Sequence, residues 1–167
     1  MSEVLIFDFF GTDCQTGPHT EKIFGICDVP DGGRAYVDTV TPVSWIAKVF
    51  NKNSLNVRFT AIDGCVLPND KGPKRCDAML TTVTSIYLVE LKDQRSTGWV
   101  NAAKEQIASS IQLLRESNSL NGYQLFKAHI CNKKRPIFHG SRREMCEKFH
   151  EQHGFHLRVA ADIHIAE

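Results

Sequence analysis

Apolar positions along the chain keep two different periods, and the change from one to the other marks out the elements. Residues 57–62, Val-Arg-Phe-Thr-Ala-Ile, alternate between apolar and polar, the period of a half-buried strand. Residues 76–82 and 85–92 read as two more strands, the second built on the unbroken apolar run from Ile86 to Val89. Over 99–116 the period lengthens. Trp99, Ala103, Ile107, Ile111 and Leu114 recur every three or four residues and predict an amphipathic helix. Ser96 or Thr97 is placed to cap its start, and Asn121-Gly122 lies just past its end. Residues 123–131 return to strand. The same reasoning predicts a helix over 42–51, with Val43, Ile46, Ala47 and Phe50 on one stripe and Pro42 near its first position. Another helix is predicted over 141–153, where Ser141 and Glu144 have capping-box spacing and Gly154 supplies the stop. Residues 155–159 read as an added strand that 160–167 extend. Upstream, 4–10 form an extended apolar segment. Residues 11–34, rich in Gly, Asp, Thr and Pro, read as irregular around a short helical candidate at 20–27.

The strand over 85–92 ends in charge. Side chains alternate along a strand, so Glu90 and Lys92 point to one face and Leu91 to the other. A hairpin of 76–82 with 85–92, turning about 83–84, sets Asp77 opposite Glu90, with their side chains about 5 Å apart. Like charges opposed in this way cost a sheet pair up to about 1 kcal/mol, so something must offset them. Lys92 and a divalent cation are the candidates. Mg²⁺ suits such a place, since it takes oxygen ligands and is commonly held by one or two carboxylates with phosphate oxygens and water. Gln106, on the flank of the helical stripe, can bring an amide to the same region.

With Asp77 at the start of one strand, Glu90-Leu91-Lys92 at the end of the next and Gln106 on the following helix, the chain resembles the PD-(D/E)XK nuclease superfamily. The resemblance covers roughly residues 43–131. It implies an α/β fold with a restriction-endonuclease-like αβββαβ core, a mixed sheet flanked by helices. Outside that core it leaves an N-terminal extension and a C-terminal helix-strand addition. It also implies a metal-dependent nuclease in which Asp77 and Glu90 bind Mg²⁺ or Mn²⁺, Lys92 orients or activates the attacking water, and Gln106 supports the site. Two features depart from the family pattern. Arg75-Cys76, with no proline, precedes Asp77, and the helix expected at 42–51 carries no acid that would serve a second metal.

Composition narrows the picture only in part. At 167 residues and 42% hydrophobic, the chain suits one domain, divided as 1–41, 42–131 and 132–167. A net charge of +1 gives no bulk attraction to nucleic acid, with DNA expected ahead of RNA. The basic residues are clustered, however. Lys71, Lys74 and Arg75 precede Asp77, and Lys133, Lys134 and Arg135 follow the last core strand, where either phosphate contact or plain solvation accounts for them. Sequence preference would come from the 68–73 loop, the N-terminal segment or a partner subunit, and a homodimer would supply a second site. No apolar run reaches 18 residues, so no membrane span is expected, and the start Met1-Ser2-Glu3-Val4 lacks a leader pattern.

Six cysteines without a CxxC pair read as free thiols of a cytoplasmic protein, although Cys65 and Cys76 flank one loop and could approach if oxidised. Neither Cys14, His19 and Cys27 nor His150, His153 and His156 have the spacing of a zinc site. Gly32-Gly33 reads as a turn, and Asp8 lacks the second acid a phosphatase motif needs. The alternative function is a non-catalytic member of the same fold that binds nucleic acid or protein through its basic loops.

Overall fold

The short apolar runs pair into two sheets, and the two amphipathic stretches become helices that cover one of them. The computed structural model describes residues 6–29, 32–68, 70–95, 97–117, 119–134 and 142–166. In chain order the strands are β1 (Gln15–His19), β2 (Ile23–Cys27), β3 (Tyr36–Asp38), β4 (Ala47–Phe50), β5 (Val57–Ala61), β6 (Ala78–Thr81) and β7 (Ser85–Lys92). They are followed by α1 (Trp99–Glu116), β8 (Leu125–Asn132), α2 (Arg143–His153), β9 (His156–Val159) and β10 (Asp162–His164). One sheet has the order β1-β5-β6-β7-β8-β9 and the other β10-β4-β2-β3. Strands β5, β6 and β7 are antiparallel neighbours, whereas β7, β8 and β9 run parallel. Each parallel step is made through a helix, as parallel neighbours require a long crossover.

Strand β7 lies between two cores. Its Ile86 and Leu88 pack in the layer that holds Ala103, Ile107, Ile111 and Leu114 of α1. Its Tyr87, Val89 and Leu91 pack with Phe24, Ile26, Val49 and Ile163 of the second sheet. With both faces covered, the alternation has no polar phase, which is why the run from Ile86 to Val89 is unbroken. The β6–β7 hairpin has the expected register: Ala78 pairs with Val89 and Met79 with Leu88, so the next positions outward are Asp77 and Glu90. Helix α1 has the bounds read from its stripe, and Gly154 ends α2 in the left-handed conformation.

The expected helix at 42–51 is instead one 3-10 turn, Pro42–Ser44, followed by β4. Val43 is 78% exposed, so the 3.6-residue stripe does not hold, and the inward residues are Ala47 and Val49 at the period of a strand. Pairing to β2 on one side and β10 on the other overrides the helical pattern. The helical candidate at 20–27 is likewise replaced by β2, whose Ile-Phe-Gly-Ile-Cys sequence is strand-forming. Residues 11–34 are therefore less irregular than their composition suggests. Of the apolar segment 4–10, the described part is not a strand. Asp8 accepts the backbone N–H of Phe10 in a turn, and Phe9 is buried against the helical layer. The caps differ too. Gly98, not Thr97, occupies the position before α1, and Arg142 the one before α2; Ser96 and Ser141 lie outside the described residues.

Two of the six cysteines are not free thiols. Cys14 and Cys65 form a disulfide with Cα atoms 5.7 Å apart. The pairing of Gln15 in β1 with Thr60 in β5 brings Cys14 beside the loop that leaves β5, a long-range contact that cysteine spacing does not reveal. Cys65 therefore does not meet Cys76, which is buried with its thiol against the Ala78 carbonyl. The histidines make packing contacts: His150 and His156 stack with ring centroids 4.0 Å apart, and His153 lies against Phe149.

The second sheet has one close approach that only glycine permits. A Cβ on Gly25 would stand 2.0 Å from Cγ of Trp45. The indole cannot retreat freely, because its Nε1 donates to Asp38 Oδ2 at 2.7 Å. Gly25→Ala is expected to cost about 1–3 kcal/mol through overpacking, measured as a lower urea midpoint at an unchanged m-value.

Candidate functional site

Because β5, β6 and β7 alternate in direction, the end of β5, the start of β6 and the end of β7 lie on one rim of the sheet. That rim carries Asp63, Asp77, Glu90 and Lys92. Glu90 is 1% exposed, and its Oε2 has no hydrogen-bond partner among the described residues. Burial raises its carboxyl well above the ordinary range, and the Asp77 charge raises it further. The two carboxyls are close enough to share a proton. Asp77 is fixed by the backbone N–H of Leu91, which donates to its Oδ2 at 2.7 Å.

Lys92 approaches from the same face. Its Nζ is 3.8 Å from Glu90 Oε2, an ion pair longer than a hydrogen bond, and donates to Gln106 Oε1 at 2.8 Å. Gln106 in turn donates from Nε2 to the Arg75 carbonyl at 3.4 Å. One turn further along α1, Ser110 Oγ accepts the Cys76 N–H at 2.8 Å, so the helix also holds the residue preceding Asp77. Asp77, Glu90, Lys92 and Gln106 thus come together at one place.

Two acids of this rim were not singled out by the sequence. Asp63 was read only as part of a turn, although it follows a strand whose end shares the rim with Asp77. Its Oδ1 accepts from Arg75 Nη1 at 3.2 Å. Asp28, just past β2, carries no sequence signal at all. Burial and then the neighbouring Asp77 charge push its carboxyl up to about 6.

The basic residues are unevenly placed. Arg75 is only 9% exposed and turns inward, donating to Asp63 and to the Pro73 carbonyl, so it is no surface cation. Lys74 pairs with Glu105 at 2.6 Å on the surface, and Lys71 is exposed. Lys133 and Lys134 are exposed and follow β8 at the site rim, since the Lys133 N–H donates to the Lys92 carbonyl. Lys134 stands 3.7 Å from Asp93. Arg135 lies outside the described residues. A depression of about 340 Å³ adjoins the site, lined by Asp63, Lys74, Arg75 and Gln106 among others. A wider groove of about 740 Å³ lies between α1 and α2, away from Asp77 and Glu90, so its size is no guide to the chemistry.

Among the described residues, no group of three or more His, Cys, Asp or Glu side chains stands ready to hold a metal ion, and no helix is long and apolar enough to cross a membrane. Comparison with protein-family models, with curated proteins and with solved structures finds no match to this chain.

Proposed function

We propose that the chain is a metal-dependent nuclease hydrolysing phosphodiester bonds in DNA or RNA at Asp77, Glu90, Lys92 and Gln106. The observation that carries this reading is Glu90, a buried carboxylate with an unpartnered oxygen set against a second carboxylate. Burying a charge without a partner costs several kcal/mol, and a bound cation is what offsets it. The donors are oxygens only, which suits Mg²⁺ or Mn²⁺. Such an ion, when bound, would polarise the scissile phosphate and acidify a water. Asp77 and Glu90 would hold it. Lys92 keeps its ammonium over the rim, braced by Gln106, with donor capacity left for a phosphoryl oxygen or the attacking water. In this reading β5, β6, β7, α1 and β8 form the restriction-endonuclease-like core without its opening helix, and Lys133 and Lys134 hold the nucleic-acid backbone beside Lys92.

The absence of three assembled ligands among the described residues favours one rival, a non-catalytic binding protein of the same architecture. Incubation of the purified protein with plasmid, linear and single-stranded DNA and with RNA, in Mg²⁺, Mn²⁺ or EDTA, separates the two. The nuclease reading expects cleavage that needs the metal and disappears in Glu90→Ala and Lys92→Ala. No cleavage of any substrate would transfer support to the binding protein. The cytoplasmic location expected from unpaired thiols loses that support with the Cys14–Cys65 bond, which belongs to an oxidising setting.

A further inference from the structure

We propose that Asp28, carried by the second sheet and not by the nuclease-like core, is a further acidic member of this site that binds the water shell of the cation. The proposal rests on the metal-dependent reading above and extends it to a residue outside the motif.

Placement comes first. Strand β2 ends at Cys27, and its Phe24 and Ile26 pack with Ala35 against Ala61, Ala78, Val89 and Leu91. Those four residues sit at the ends of β5, β6 and β7 that carry Asp63, Asp77 and Glu90. The chain after Asp28 closes over the same rim, where Arg34 stands against Gly64, 3.5 Å from the position a Cβ would take. Asp28 therefore reaches the rim from the second sheet while Gln106 reaches it from the helical layer.

Charge comes second. Asp28 Oδ1 accepts the Val29 N–H at 2.9 Å, and its carboxylate has no ion-pair partner among the described residues. The cations named at the rim are already engaged, Arg75 with Asp63 and Lys92 with Gln106. Glu90 Oε2, fully buried, is without a hydrogen-bond partner. A group of acids with a buried oxygen in want of a partner fits a hydrated divalent cation. Mg²⁺ keeps several waters and takes only one or two carboxylates directly, so an acid beyond direct reach still binds through its shell. That arrangement agrees with Asp28 not forming a three-ligand group with Asp77 and Glu90.

The test is a Mn²⁺ titration of wild type, Asp28→Asn, Asp28→Ser and Glu90→Gln by calorimetry, with Mn²⁺-induced rise in thermal midpoint as the second readout. Thermal unfolding in EDTA shows that each variant is folded. Both Asp28 variants are expected to bind Mn²⁺ roughly 10- to 100-fold more weakly, the loss typical of an outer-shell partner. If they bind as wild type does while Glu90→Gln does not, Asp28 has no such role and the nuclease reading stands. If wild type binds no Mn²⁺, both fall together.

Discussion

Glu90→Gln should abolish metal-dependent cleavage and, in the same protein, raise the thermal midpoint measured in EDTA. The two effects have one cause. Glu90 is buried beside Asp77, and its ionised form is disfavoured first by burial and then by that neighbour. An amide of equal size removes the charge without opening a cavity, so the metal-free fold gains stability. The expected rise is at least about 2–4 °C, the shift that one kcal/mol produces in a chain of this size. Losing the carboxylate removes a cation ligand, and Lys92→Ala removes the charge facing the phosphate. Each loss should lower the cleavage rate by about 10²- to 10⁴-fold. A site that lowers stability for the sake of activity shows this opposition, whereas a structural ion pair would lose stability on mutation. Cleavage assays and differential scanning calorimetry on the same preparations decide between them. A Glu90→Gln protein with a lowered midpoint in EDTA would identify Glu90 as a structural partner of Lys92.

The second large effect is expected at His129, far from the proposed chemistry. On β8 its register partner is Val89, and its ring lies near that of Tyr87 in the layer between the two sheets. It is 3% exposed, and neither ring nitrogen has a hydrogen-bond partner among the described residues. Burial, with smaller contributions from Lys127, Arg158 and His164, pushes its pKa down from 6.5 to about 3. Between those values the unfolded chain binds a proton that the folded one refuses, so stability falls as pH drops through that window. The slope approaches about 1.4 kcal/mol per pH unit within it. Glu90 and Asp28 act in the opposite sense, since their carboxyls are raised, and comparison of a His129 variant with wild type cancels them. His129→Leu should gain about 1–3 kcal/mol at neutral pH by removing unsatisfied buried nitrogens. It should also lose most of the acid dependence. Urea unfolding of both proteins at about pH 7 and about pH 5 tests this, and parallel slopes would show that His129 finds a partner when charged.

Much of the candidate site was legible because its parts are local. The β6–β7 register follows from one short turn, and Gln106 follows from a helical stripe fourteen residues after Lys92. Neither inference needs to know what lies elsewhere in the chain. The strand at 47–50 was not legible in the same way. Ala47, Val49 and Phe50 fit both a helical stripe and a strand, and what decides is pairing with β2 and β10. The Cys14–Cys65 bond and the approach of Asp28 to Asp77 depend on the same kind of long-range contact. Arg75 shows the converse limit. A basic residue beside two lysines reads as part of a surface cluster, yet its guanidinium is turned inward on Asp63.

The parallel pairing of β10 with β4 has a consequence for how the protein assembles. Asp162 lies beside Lys48, so the second sheet acquires its last strand only when segments more than a hundred residues apart in sequence have met. The β6–β7 hairpin needs a loop of a few residues. Closure of long loops is entropically slow, and local pairs form first. The carboxylates of the rim are thus aligned early, while the edge of β4 stays open until the final strand arrives. An open edge with apolar Ala47 and Val49 behind it is the surface on which a nascent or truncated chain would self-associate.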